Sequence, residues 1–323
     1  MKRARLLALV AVSGCAAATP PAQCPDTAAV PHSDYDPARL KSAGVDPSAL
    51  HCNRDNRWGS MIRPDSKAGA ADVLAAIAPR LQPLSDADRA ALEKKLEGLV
   101  MWRMVRAVLI EGDTNNFGAI ALRGRTFVDE KGTERPVLLF RTGFTPRPAE
   151  PDSCFQSLLR GGGVKHVVNL FDGDIPAADL VDAESKAAAS CGATYNIATD
   201  EANGGYGPWR DTLRKHYDEP AKRTEAMQSV ARLIKEQILL PGGAPPKGNI
   251  HVHCGGGMHR TGMIVGVIER CINGEPPEVV EAHYHYHVAW KDASHPGGAE
   301  EMNLRFIQDF DCSLLGDGKP ANP

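Results

Sequence analysis

Cys254 and Arg260 are separated by five residues in the run His251-Val252-His253-Cys254-Gly255-Gly256-Gly257-Met258-His259-Arg260-Thr261-Gly262. Those residue types at that spacing suit chemistry on an oxyanion. A tight glycine-rich turn lets successive backbone N–H groups face one point and form an anion nest. A helix that starts at once adds its positive end. An arginine at that start offers a planar fork of donors to two phosphate oxygens. Glycines allow a close approach that a side chain would block. The same positive field lowers the pKa of the neighbouring thiol, so Cys254 attacks as a thiolate.

The elements that must position this loop are legible around it. Asn249 to His253 reads as a strand, and the apolar run Thr261 to Ile268 as a helix. Upstream, strand and helix alternate. Val164 to Phe171 is a short apolar strand, Ala177 to Ser190 a helix and Ala193 to Ala198 a strand. A Gly/Pro/Asp-rich loop over 199–220 precedes a helix over 221–240, with Met227, Val230, Ile234 and Ile238 on one stripe. Residues 117–141 read as a hairpin with its turn at Glu130-Lys131-Gly132. This alternation predicts an α/β domain, a central, mostly parallel sheet flanked by helices. Its ligand site lies at the carboxyl ends of the strands.

The string HCGGGMHRTG resembles the Cys-x5-Arg signature of the protein tyrosine phosphatase superfamily. It is most similar to the dual-specificity branch, in particular the plant and fungal atypical phosphatases, whose loop reads HC-x-x-G-x-H-R-T-G. Arg141-Thr142-Gly143 and GGGVKHVVNLF look like the Arg-Ser-Gly and Val-Ile-Asn-Leu elements of that group, and Asn303 to Phe310 looks like its last helix. The likeness spans residues 137–312. It implies the cysteine-phosphatase fold and a phosphomonoesterase working through a cysteinyl-phosphate intermediate, without metal or organic cofactor. Carried over, Cys254 is the nucleophile and Arg260 the phosphate clamp. Gly255, Gly256, Gly257, Met258 and His259 donate backbone N–H groups. Thr261 steadies the sulfur, and His253 orients the loop from beneath. The expected substrate is a phosphoprotein, of tyrosine or dual-specificity type. A phytase-like inositol-phosphate phosphatase and a phosphate-binding pseudophosphatase are the alternatives. Met258 stands where the nearest relatives carry Lys, which weakens the case for a highly anionic substrate. A rhodanese-type sulfur carrier uses a loop one residue shorter.

No Trp-Pro-Asp sequence is present, so the general acid must be sought elsewhere. Asp200 follows the strand ATYNIA and fits the strand-end position. Asp211, after Pro208-Trp209-Arg210, is the alternative acid, and Asp218 a third option. Tyr206 and Trp209 either line a cleft or pack within their loop. Asp172 and Asp174 read as a turn at a strand end. His283, His285 and His287 lie in a stretch that reads as a helix. There they pack and hydrogen-bond, with a metal site as the less favoured use. His251 reads as buried structure.

Composition bounds the rest. The chain has 323 residues, 42% apolar and 24% charged, which are globular values. Its net charge of -3 argues against a nucleic-acid partner. Lys2, Arg3 and Arg5, the apolar run Leu6 to Val12, then Ser13-Gly14-Cys15 resemble a signal peptide ending in a bacterial lipobox. That predicts cleavage after residue 14, lipid on Cys15 and an exported, membrane-anchored lipoprotein, in the outer membrane where there are two. Residues 15–66 read as a tether and irregular segment, 67–115 as a helical extension with helices over 69–82 and 86–106, and 116–315 as the phosphatase domain. Export allows disulfides among the eight cysteines. We expect Cys24–Cys52, Cys154–Cys191 and Cys271–Cys312, with Cys254 free.

Overall fold

The computed structural model describes residues 34–52, 115–145, 147–171, 178–198, 216–288 and 299–316. Strands β1 (Gly118–Val128) and β2 (Glu134–Thr142) form the hairpin. The side chain of Asp129 shapes its turn by accepting from the N–H groups of Lys131 at 2.9 Å and Thr133 at 2.8 Å. With β3 (Val164–Asn169), β4 (Thr194–Ile197) and β5 (Asn249–His253) they make one sheet in the order β1-β2-β5-β3-β4. All pairings except β1–β2 are parallel. The α/β fold with a mostly parallel central sheet is therefore as expected.

Helices α1 (Pro37–Ser42), α2 (Cys154–Arg160) and α3 (Ala178–Ser190) cover one face. Their core includes Leu40, Phe155, Leu158 and Ala188 against Leu138, Phe140 and Val167. On the other face, α4 (Pro220–Leu233), α5 (His259–Ile268), α6 (Pro277–Val288) and α7 (Ala299–Asp309) enclose a larger core. Helix α4 starts with Pro220 at its first position, where the missing N–H costs nothing, and runs on as a π-helical stretch, Ile234–Leu239. Its predicted stripe of Met227, Val230, Ile234 and Ile238 is buried. Helix α5 likewise continues as a π-helical stretch, Glu269–Asn273.

Strand β5 is buried throughout and central, yet alternate residues are polar. Ile250 and Val252 enter the larger core, while Asn249, His251 and His253 point the other way. Two of the three side chains find hydrogen-bond partners, as buried polar groups ordinarily do. Asn249 accepts from the Leu138 N–H at 2.8 Å and donates to the Gly162 carbonyl at 2.7 Å. His251 Nε2 lies 2.7 Å from the Thr142 hydroxyl, which bears out its structural reading.

Two expectations are corrected. Residues 34–52, read within a tether and irregular segment outside the domain, pack into it. Leu40, Ala43 and Val45 are buried, and Tyr35 stacks edge-on against Phe117 at 5.6 Å. Cys52 pairs with Cys154, with Cα atoms 4.6 Å apart, in place of the expected Cys24–Cys52 and Cys154–Cys191 bridges. The packing of 34–52 brings Cys52 to the start of α2, which no pattern in that apolar-poor segment announced. Cys191 is a thiol whose sulfur lies 3.8 Å from Gln156 Oε1. Cys271–Cys312 forms as expected, and Cys254 is free. Cys15, Cys24 and the helices expected over 69–82 and 86–106 lie outside the described residues. Among the described residues, no helix is long and apolar enough to cross a membrane.

Candidate active site

The loop 254–258 leaves the carboxyl end of β5 and enters α5 at His259. Three carbonyls in succession are held from outside. Gly255 O accepts from the Phe144 N–H at 3.0 Å. Gly256 O accepts from Asn116 Nδ2 at 3.0 Å, and Gly257 O from Arg141 Nη2 at 2.8 Å. In a planar trans peptide, N–H points opposite to the preceding C=O. Outward carbonyls on 255, 256 and 257 therefore turn the N–H groups of Gly256, Gly257 and Met258 inward. Gly257 has φ +64°, and a Cβ there would lie 2.5 Å from the Thr142 carbonyl, so only glycine fits this turn.

Cys254 lies at the base of the loop with 4% of its surface exposed. Burial raises its thiol pKa, but the Arg260 charge, the Thr261 hydroxyl and amide and the Gly257 N–H together pull it below the usual value. The Thr261 hydroxyl is buried with no other hydrogen-bond partner among the described residues, so its hydrogen is available to the sulfur. Arg260 stands in the first turn of α5, where a cation opposes the helix dipole. Such a local conflict suits a site made for an anion. Its Nη1 donates to the Leu170 carbonyl at 2.6 Å, and its guanidinium lies 5.2 Å from the Phe171 ring centre. Phe171 and Phe144 meet edge-on at 5.0 Å and form an apolar wall beside the loop. The Met258 side chain is buried in the larger core and presents no charge at the loop.

Beneath the loop, His253 is buried and neutral, its pKa lowered to about 3 by burial. Its Nε2 lies 3.3 Å from Glu184 Oε2 of α3. Tyr195 of β4 donates to the same oxygen at 2.7 Å, and Asn169 of β3 donates to the Tyr195 hydroxyl at 3.0 Å. Burial raises Glu184 to about 8, against the bonds from Tyr195 and the Thr145 N–H.

The structure thus brings Cys254, Gly255, Gly256, Gly257, Met258, His259, Arg260, Thr261 and His253 together as expected. Asp200, Asp211, Asp172, Asp174, Tyr206 and Trp209 lie outside the described residues. Asp218 pairs with Arg305 of α7 at 3.6 Å. Helix α6 puts His283 and His287 on one face. His283 Nδ1 lies 2.6 Å from Glu269, and His287 Nε2 lies 2.8 Å from Asp34, in keeping with the packing and hydrogen-bonding reading. Sequence reasoning missed Asn116, Asp34, Glu184 and Tyr195. Arg141 was visible only through the Arg-Thr-Gly resemblance.

No protein-family model matches the chain, and no curated protein does. Among solved structures the chain is similar to the core catalytic domain of the PP-IP phosphatase SIW14 from S. cerevisiae, determined in complex with citrate. That similarity has a TM-score of 0.34 at 17% identity and covers 54% of this chain and 80% of that one. A likeness so distant leaves the functional reading to the geometry of the loop.

Proposed function

We propose that the chain is a cysteine-dependent phosphatase that hydrolyses phosphate monoesters, of protein tyrosine or dual-specificity type. The observation that carries this reading is the loop itself. Its N–H groups converge above a sulfur whose pKa is lowered, with an arginine at the start of the following helix. A phosphate centred there meets the inward N–H groups and the Arg260 fork. Cys254 Sγ attacks phosphorus, and the P–O bond to the leaving group breaks with its electron pair on that oxygen. A general acid protonates this oxygen. Water then attacks phosphorus, the P–S bond breaks, and thiolate and orthophosphate separate while the acid recovers its proton.

Asp200 is our choice for the acid, with Asp211 behind it. Strand β4 ends at Ile197, in register with Asn169, which is itself in register with His253. The chain after β4 therefore departs from the same edge as the Cys254 loop. The buried, uncharged Met258 favours a single phosphate monoester over a polyanionic inositol phosphate. In this reading Cys15 carries the lipid that holds the enzyme at a membrane, which the mass of the mature N-terminus tests.

The deciding experiment measures phosphate release from aryl phosphate, phosphopeptides, phosphoinositides and phytate. Cys254→Ser should abolish turnover yet still bind phosphate, since a hydroxyl is barely ionised near neutral pH. Arg260→Lys should lose about 10²-fold or more, because a point charge cannot reproduce the fork. Asp200→Asn should slow poor leaving groups far more than nitrophenolate. Near-normal turnover in either loop variant removes the mechanism. Preference for phytate moves the substrate to the inositol phosphates.

A further inference from the structure

The segment 34–52 brings one side chain beneath the loop. Asp34 is 1% exposed. Its Oδ1 accepts from His287 Nε2 at 2.8 Å, and its Oδ2 lies 4.0 Å from Arg141 Nη1. Each partner leads to a loop carbonyl. Arg141 Nη2 holds Gly257 O at 2.8 Å. His287 Nδ1 lies 2.8 Å from Asn116 Oδ1, while Asn116 Nδ2 donates both to Gly256 O and to the His287 carbonyl, at 3.0 Å each. Two paths therefore run from one carboxylate to two consecutive carbonyls. Strand β1 makes room for that carboxylate at Gly118, where a Cβ would come within 2.3 Å of Asp34 Oδ2. The buried pair Glu269 and His283 completes the charged surroundings. At the far end of the segment, Cys52 is fastened to α2 through Cys154.

We infer that Asp34 is a positioning residue for the oxyanion loop. Through Arg141 on one path, and through His287 and Asn116 on the other, it fixes the outward direction of the Gly256 and Gly257 carbonyls. It thereby fixes the inward direction of the Gly257 and Met258 N–H groups. Residues 34–52 are then part of the working unit and not a leader to it. The inference rests on the reading of loop 254–260 as a phosphate cradle.

The test uses the full chain with Asp34→Asn, and with Gly118→Ala, which keeps the carboxylate but displaces it. Three quantities are read on folded protein: affinity for inorganic phosphate, turnover of an aryl phosphate, and the pH dependence of Cys254 alkylation by iodoacetamide. Misplaced donors should weaken phosphate binding about tenfold and lower kcat on the order of 10²-fold. They should also move the alkylation midpoint upward, because the thiolate loses aligned N–H groups. Unchanged phosphate affinity and midpoint would reduce Asp34 to a structural residue. A downward midpoint would mean that its charge alone is felt at Cys254, and would equally overturn the inference. If Asp34→Asn does not fold, Gly118→Ala carries the same three readouts. A wild-type protein that binds phosphate without turnover would sink the catalytic reading alone, since binding and alkylation would still be measured.

Discussion

On the β2 side of the central strand β5, the Cys254 loop rests on an ion pair. Asp34 and Arg141 are buried there as a charged pair with the neutral His287 beside them, joined to the loop carbonyls by Arg141 itself and by Asn116. On the β4 side it rests on groups that are neutral at pH 7. These are His253, lowered to about 3, Glu184, raised to about 8, and the hydroxyl of Tyr195. The contrast follows from what each side faces. Carbonyls turned outward need strong donors, and a guanidinium anchored by a carboxylate supplies them. The β4 side lies behind the sulfur, where an ionised carboxylate would oppose formation of the thiolate. A buried Glu184 that keeps its proton avoids that conflict. Both supports are needed because the loop has few side chains of its own to brace it.

Arg141→Lys should break the charged side with the largest effect. The guanidinium reaches Asp34 with one nitrogen and Gly257 O with another. A single ammonium cannot serve both, so one buried partner is orphaned. Turnover should fall on the order of 10²-fold, as expected when a positioned donor moves by about 1 Å. Unfolding by urea should show a loss of roughly 3–5 kcal/mol if the carboxylate is the partner left unpaired. Steady-state kinetics within a few-fold of wild type would show that Gly257 is held by other means.

Asp34 and His287 on one side and Glu184 on the other should also respond to pH in opposite directions. Burial pushes Asp34 up, but His287 and Arg141 overcome this and hold it at about 2, below its ordinary 3.8. Burial and Arg141 lower His287 from 6.5 to about 4, against the pull of Asp34. Both depressed values mean that the charged side contributes stability at neutral pH. It loses that contribution as pH falls, through His287 from 6.5 to about 4 and through Asp34 from 3.8 to about 2. Glu184 is raised from 4.5 to about 8, so the folded state binds the extra proton between those values. Its contribution is complete below 4.5 and is lost as pH rises to about 8. Glu184→Gln, which cannot ionise, should remove a loss on the order of a few kcal/mol across that window. Urea unfolding at pH 5 and pH 8.5 checks this. Equal pH slopes in variant and wild type would mean that Glu184 titrates normally.

How much of this was legible in the sequence follows the same division. The loop, its strand and its helix are contiguous, so Cys254, Arg260, Thr261 and His253 are fixed by local order. The hairpin and the stripe on α4 follow from periodicity alone. The supports come from remote parts of the chain. Asp34 and His287 are separated by 253 residues, and Asn116 and Gly256 by 140. No spacing rule connects them, and a lone Asp or Asn in a loop is ordinarily solvated or capping. Cys52 escaped for the same reason, since the packing of 34–52 that carries it to Cys154 is a tertiary event. Glu184 sits in a helix whose polar residues are otherwise mostly solvent-facing, so its burial had no sequence signal.

Tyr195→Phe should give the smallest effect and sharpen the comparison most finely. The hydroxyl donates to Glu184 Oε2 and accepts from Asn169 Nδ2, so it ties β3, β4 and α3 together without touching a loop carbonyl. Its loss removes one bond that favours the ionised carboxylate, so the Glu184 midpoint should move further above 8. The alkaline decline in stability should then continue beyond the wild-type limit. The unpaired Asn169 amide should cost about 1–3 kcal/mol at every pH, a vertical offset that is separable from the shift along the pH axis. Turnover at neutral pH should change little, because Gly255, Gly256 and Gly257 keep all three donors on the opposite side. Should Tyr195→Phe lower phosphate affinity as much as Arg141→Lys does, the neutral side would be orienting the cradle too, and the division of labour across β5 would fail.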